Sequence, residues 1–298
     1  MELRHLRYFA MVAEHQSVRA ASEHLYVTQP AVSRQIQDLE AELGVSLFER
    51  SSRGLRLTEA GLAFQADTQR ILAAVQEAKR SVQLRAAGLL GSLRLGLIES
   101  AGWDGLVPEA IGRLQQEAPG LRIQLFPMST PQQLAALHEG GLDGGFIYPF
   151  EPLDAALQCT ALARHDVILA VPEGSRLAQR PLVQASELAD EPFVMFERPV
   201  YPAYHDRLMG ACTQAGLTPR IVQEVGSESA VLSLVSAGIG IALVNAANRG
   251  RPPARVRFVP LADVSVPLSL SFACRRQGAS PGLQRFLSAL QQPAPSPQ

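Results

Sequence analysis

Val27-Thr28-Gln29-Pro30-Ala31-Val32-Ser33-Arg34-Gln35-Ile36-Gln37 is the stretch on which the reading of this chain turns. Thr28 is a helix-capping residue type, and Pro30 fits the first helical turn, whose N–H groups have no partner inside the helix. Ile36, Leu39 and Leu43 then recur at helical spacing, and Gly44 ends the run. Just upstream, Ser17 caps a short helix over 18–25 that contains the small pair Ala20-Ala21, and Tyr26-Val27 makes the turn. Two short helices joined tightly, with small residues where they meet, form a helix-turn-helix. Its second helix can enter the major groove with its first residues at the base edges. The exposed front of that helix holds Gln29, Ser33, Arg34 and Gln37. Gln pairs with adenine, Arg with guanine, and Ser with a base or a phosphate. Thr28 and the positive end of the helix dipole, with Pro30 in the first turn, suit a phosphate.

Working outward, Leu3, Leu6, Phe9 and Val12 give a first helix one buried face. Beyond Gly44, two short apolar runs flank Arg50-Ser51-Ser52-Arg53-Gly54, a two-stranded ribbon with a basic tip. Arg50, Arg53 and Arg56 there suit backbone or minor-groove contact. The acids Asp38, Glu40 and Glu42 lie in the second half of the reading helix, away from its front. Residues 58–87 contain no proline and carry the apolar stripe Ile71, Leu72, Val75, Ala78 and Val82. A helix of that length spans roughly 45 Å. Set between two globular units, it reads as a linker that pairs subunits.

After Gly88 the pattern changes. Strands are expected near 93–98, 121–128, 144–147, 167–171, 193–196, 221–225, 241–244 and 268–274. Helices are expected at 106–117, 131–139, 203–215, 229–237 and 281–290. Such alternation predicts parallel α/β sheets in two lobes, with a ligand crevice at the strands' C-terminal ends. Three turns converge there: Glu99-Ser100 after the first strand, Ser129-Thr130-Pro131 after the second, and Gly226-Ser227-Glu228 from the other lobe. Free N–H groups and hydroxyls at positive helix ends make a carboxylate-sized anion site. Arg198, in Glu197-Arg198-Pro199, adds a cation, and Tyr201-Pro202-Ala203-Tyr204 adds an aromatic wall.

Composition bounds these readings. The 298 residues predict about two domains, and 27 basic residues against 28 acidic ones give a net charge of −1. That balance argues against a uniformly basic coat but not against a local DNA-binding face. Lys79 is the one lysine, a bias that genome composition explains. Three scattered cysteines, Cys159, Cys212 and Cys274, fit no metal spacing and suit a reducing compartment. A charged N-terminus and the absence of a long apolar run predict a cytoplasmic protein with no membrane partner. The tail at 291–298 is rich in Pro, Ser and Gln and is expected to be disordered.

An enzyme is set aside, with no cofactor and no catalytic residue expected: His165-Asp166 and His205-Asp206 are sequence neighbours, which do not orient one another as a triad requires. Cys212, mid-helix among apolar residues, reads as core rather than as a redox sensor. A periplasmic-type binding protein would explain the α/β half but not the first 87 residues.

Residues 1–65 closely resemble the winged helix-turn-helix of LysR-type transcriptional regulators. The likeness is carried by Arg4-His5-Leu6-Arg7-Tyr8-Phe9, Ala20-Ala21, 27–36, Glu42-Leu43-Gly44, Leu47-Phe48-Glu49-Arg50 and 56–61. Gln16-Ser17-Val18-Arg19 departs from the family's pattern. The resemblance implies an N-terminal all-α winged helix-turn-helix (1–58) and a linker helix (59–88). A C-terminal α/β two-lobe, periplasmic-binding-protein-like effector domain (91–290) follows. Its lobes would cover about 91–163 with 268–290, and 164–267. It also implies double-stranded promoter DNA, a small-molecule effector, further copies of the chain (homodimer or homotetramer) and RNA polymerase as partners. The effector half is most similar to the muconate- and chlorocatechol-responsive branch, through 125–130, Pro202 with Tyr204, and 231–240. That similarity implies Ser100 and Thr130 as carboxylate ligands and Pro202 and Tyr204 as pocket wall. Glu99 and Tyr148 depart from the branch's pattern, Glu99 by facing an anion with its own charge, and a cationic or neutral effector is the alternative to a carboxylate or aromatic-degradation metabolite.

Overall fold

Capping chemistry and apolar spacing place the N-terminal helices as predicted. In the computed structural model, which describes residues 1–51, 54–102 and 105–291, α1 runs Leu3–His15, α2 Val18–Leu25 and α3 Gln29–Leu43. Ser17 accepts the Ala20 N–H and starts α2. Thr28 stands at the N-cap of α3 but makes no side-chain cap bond, so Pro30 and the extended backbone at 28 begin that helix. Gly44, at φ 72°, ends it. Phe9, Val12, Ala21, Val32, Ile36, Leu39 and Leu47 form the core of this unit. Each large side chain buried there contributes roughly 1.5–3 kcal/mol.

The ribbon follows as β1, Phe48–Ser51, and β2, Gly54–Leu57, paired antiparallel. Glu40 Oε1 accepts the N–H groups of Leu47 (2.7 Å) and Phe48 (3.1 Å) and pins the ribbon to α3. The linker helix α4 covers Glu59–Ala86. Thr58 caps it by accepting the Gly61 N–H and donates to the Ser46 carbonyl. Its first turns are not free of their own chain, as a bare linker would be: Phe64 packs edge-on to Phe9 with ring centroids 5.0 Å apart. Ile71 and Val82 of the predicted stripe are exposed, whereas Leu72 and Val75 are half-buried.

Packing divides the chain into two compact units, Met1–Leu84 and Arg85–Gln298. The second opens with β3 (Leu90–Leu97), α5 (Leu106–Glu117), β4 (Gly120–Pro127), α6 (Thr130–Glu139), β5 (Gly144–Ile147) and β6 (Leu157–His165). The chain then crosses into β7 (Val167–Pro172), β8 (Pro192–Phe196), α7 (Pro202–Gln214), β9 (Arg220–Val225), α8 (Glu228–Ser236), β10 (Ala242–Asn245) and β11 (Val256–Val259). It returns through β12 (Leu268–Arg275) and α9 (Pro281–Gln291).

The sheets are mixed, which corrects the expectation of parallel ones. In the first lobe the order is β4-β3-β5-β12-β6, with β12 antiparallel to both β5 and β6. In the second lobe β10-β7-β11 is antiparallel, while β8 and β9 are parallel. The antiparallel members are the crossing strands and their partners. β6 and β11 have no helix of their own after them and were not anticipated. Phe146, Phe272 and Phe286 meet edge-on in the first lobe's core. Gly144 makes room, since a Cβ there would lie 2.2 Å from the Phe272 ring.

Candidate functional site

Two regions gather the polar residues singled out in the sequence. On the N-terminal unit, Val32, Ile36 and Leu39 are buried while Gln29, Pro30, Arg34 and Gln37 stay exposed on the same helix. Ser33 is half-buried. The Arg34 guanidinium is 82% exposed and has only a 4.0 Å ion pair with Asp38, one helical turn on. Thr28, with no cap bond of its own, keeps its hydroxyl open at the positive end of the helix. Tyr26 is 94% exposed in the turn, with φ 54°; its residue type gave no reason to single it out.

On the ribbon, Leu55 and Leu57 pack on the core and lie opposite Arg50 and Phe48. Cross-strand partners share a face, so Arg50 shares that one, whereas Arg56 sits opposite Glu49 on the other. The two exposed arginines therefore leave the ribbon on opposite sides. Arg53, like the tail at 292–298, lies outside the described residues.

In the second unit a cavity of about 460 Å³ opens between the lobes. Of the residues expected there, Glu99, Ser100, Thr130, Tyr148, Pro202 and Tyr204 line it. Ser129, Arg198 and Ser227 do not. Ser129 is used in a capping box with Gln132 at the start of α6, and Ser227 accepts the Ala230 N–H at the start of α8. Arg198 is held by a bidentate pair with Asp206, both contacts at 2.7 Å. The paired guanidinium and His205 Nδ1, at 3.3 Å, hold the Asp206 carboxyl down at about 2. The expected cation is thus spent on Asp206, which lines the cavity while Arg198 itself does not.

The floor is a polar network between the lobes. Glu99 Oε2, from the first lobe, accepts the N–H groups of Glu228 (3.1 Å) and Ser229 (3.3 Å) at the N-terminus of α8 in the second. Asn245 Nδ2 donates to the Tyr148 hydroxyl at 2.7 Å and approaches Ser100 Oγ at 3.4 Å. Glu228 Oε1 accepts from the Asn245 N–H (3.2 Å) and from Asn248 Nδ2 (2.8 Å). Burial pushes the Glu228 carboxyl up to about 7 against the lowering by those bonds, with Glu99 nearby raising it further. Burial, with Glu228 and Glu99 beyond it, also pushes the Tyr201 phenol up to about 12, and burial, with Glu228 next, raises that of Tyr204. Thr130 Oγ1 accepts the Tyr148 N–H at 3.3 Å and so joins β5's end to α6.

Asn245 was missed as a cavity residue, while Tyr201 and Glu228 were named only within the stretches 201–204 and 226–228 and not as site residues. Glu228 was visible only as the first residue after a cap, and Asn245 only as the end of an apolar strand. The anion site predicted at three helix ends is also corrected at one of them: α8's N-terminus already holds Glu99. Cys212 is fully buried, and burial pushes its thiol up to about 11, which keeps it inert. Among the described residues no group of three metal-ligating side chains gathers, and no helix is long and apolar enough to cross a membrane.

Residues 3–62 match the model of bacterial regulatory helix-turn-helix proteins of the lysR family, and residues 86–294 match that of the LysR substrate binding domain. The chain is similar to the HTH-type transcriptional regulator IlvR of Caulobacter vibrioides, at 35% identity over the whole of both chains. It is similar to the regulator BenM of Acinetobacter baylyi at 34% identity, covering 98% of this chain and 96% of that one. Among solved structures, CbnR, a LysR family transcriptional regulator, aligns with a TM-score of 0.86 and 30% identity over 98% of this chain and all of that one. Full-length CbnR in complex with its target DNA aligns at 0.83 and 29% identity, over 98% of this chain and 99% of that one.

Proposed function

Because the chain belongs to the LysR family of bacterial regulatory helix-turn-helix proteins, we propose that its two units divide one task, reading a promoter and sensing a small organic effector. It is a DNA-binding transcriptional regulator with an effector-binding domain, not an enzyme. Residues 1–58 form the DNA-binding domain, 59–88 the linker that pairs subunits, and 91–290 the effector domain. Gln29, Ser33, Arg34 and Gln37 face base edges, Thr28 and Pro30 a phosphate, and Arg50, Arg53 and Arg56 the backbone.

The observation that carries the DNA reading is the split on α3: its apolar side is buried in the unit's core while its polar front is left to solvent. A surface that ties up so little of its own hydrogen-bonding capacity is ready to pair with bases. In the effector domain, a cavity of about 460 Å³ falls in the range of roughly 300–1,000 Å³ that small-molecule sites occupy. Filling it changes how the lobes meet, and that change reaches the spacing of the DNA-binding heads in a dimer or tetramer. Exposed Ile71 and Val82 on α4 supply apolar area for the pairing. Cytoplasmic promoter DNA and RNA polymerase complete the set of partners.

Binding of the full chain to its own upstream DNA, in competition with scrambled DNA, tests this. Arg34→Ala should weaken promoter binding by about 1–3 kcal/mol and relax sequence preference at one position. Unchanged affinity and unchanged preference would remove Arg34 from the readout set.

A further inference from the structure

The cavity between the lobes has an aromatic wall and an acidic floor. Phe196 stands edge-on to Tyr201 and to Tyr204, with ring centroids 5.3 and 6.0 Å away, and Phe150 continues the wall 6.0 Å from Tyr204. On the floor, the Glu99 carboxylate fills the N-terminus of α8, and Glu228 lies buried beside it. Among the described residues that line the cavity there is no arginine or lysine, and His138 is the one basic side chain. Two arginines have partners in the wall and are committed to them. Arg198 is paired with Asp206, while Arg207 lies 5.1 Å over the Phe150 ring and donates to the Phe150 carbonyl.

These features sort ligands by charge. A carboxylate entering the floor would meet Glu99 and Glu228, and the N-terminus of α8, one of the helix ends that could have received it, is already taken by a carboxylate of the protein. A cationic head would meet the same two acids together with the negative faces of the surrounding rings, which attract cations. Resting on the reading that this cavity is the effector site, we propose that the effector is an organic cation: an amine with an apolar or aromatic body. Its ammonium sits against Glu99 and Glu228, and its body lies among Phe150, Tyr201 and Tyr204. Of the two carboxylate ligands implied by the resemblance, Ser100 is turned to the Glu228–Asn245 network, whereas Thr130 accepts the Tyr148 N–H and keeps its own hydroxyl hydrogen to donate.

Calorimetric titration of the full chain with benzylammonium and phenethylammonium, against phenylacetate and muconate, tests the proposal. The amines should bind about tenfold or more tightly than the acids, a difference of about 1.4 kcal/mol. Glu99→Gln keeps an acceptor for the α8 N–H groups and removes the charge, and it should weaken the amines by about the same factor. Equal or tighter binding of an acid, no binding by either amine, or amine affinity untouched by Glu99→Gln would overturn it. The underlying regulatory reading fails separately: an amine that binds as described yet leaves promoter affinity and footprint unchanged refutes effector control while the charge preference stands.

Discussion

The reading helix and the cavity floor place their polar groups in opposite ways. On the front of α3 Gln29, Arg34 and Gln37 are exposed, and the core beneath them is built from apolar residues such as Phe9, Val32 and Leu39. In the cavity the polar groups turn inward. Glu228 is the one charged residue among the described ones that is fully buried, and Asn245, Asn248 and Ser100 are buried around it. The first arrangement makes stability a matter of packing and caps, and leaves the polar front free to act on something else. The second makes stability depend on protonation, because desolvation of one carboxyl is held in place by a few hydrogen bonds.

The largest expected effect tests the floor. A carboxyl pushed up to about 7 from 4.5 binds its proton more tightly in the folded state. Wild-type stability should therefore fall as pH rises from about 4.5 to about 7, the window in which the folded state holds the proton and the unfolded one does not. The groups facing Glu228 are Asn245, Asn248, Ser100, Glu99 and the phenols of Tyr201 and Tyr204. Glu228→Gln keeps the acceptor oxygen and drops the charge. It should be more stable than wild type by about 3 kcal/mol at pH 8 and equal to it near pH 4.5. Denaturant titrations across this range measure the difference; a gap that does not change with pH would deny that the floor stores charge.

A smaller effect tests the packing side of the contrast. A Cβ at Gly61 would stand 2.1 Å from the Leu47 carbonyl oxygen, where ribbon and α4 meet. Gly61→Ala should cost about 2 kcal/mol, read as a lower thermal midpoint of the N-terminal unit, with no dependence on pH between 5 and 8. The smallest tests backbone strain. Gln16 ends α1 at φ 49°, a conformation glycine adopts without penalty. Gln16→Gly should stabilise by about 1 kcal/mol in the same measurement, and a loss of stability would mean that the Gln16 side chain matters more than its backbone.

The same contrast explains what could be read from sequence. The helix-turn-helix is legible because its signals are local: Ser17, Tyr26, Thr28, Pro30 and Gly44 lie within 28 positions and each acts on its immediate neighbours. Helices and strands of the effector half were legible for the same reason, to within a few residues at most ends. Strand direction was not. β12 becomes antiparallel to β5 through a return that spans about 120 residues, from Ile147 to Leu268, and no residue in β12 announces it. The cavity was half legible. Ser100, Thr130 and Tyr204 sit at helix or strand ends, where site residues are expected, but Glu228 and Asn245 matter only because α8 and β10 bring them under Glu99. Arg198 misled, since its partner Asp206 stands eight positions on, and only the fold of that turn shows the guanidinium held by a wall residue and itself absent from the lining.

The Glu99 carboxylate at the head of α8 also has an evolutionary meaning. A protein that carries a built-in anion where an anion could dock has its charge preference written at one codon. Replacing Glu99 by a small neutral residue would vacate two backbone N–H groups and remove one negative charge in a single step. On the proposal that the effector is an amine, that one replacement should shift the preference toward acids without rebuilding the aromatic wall.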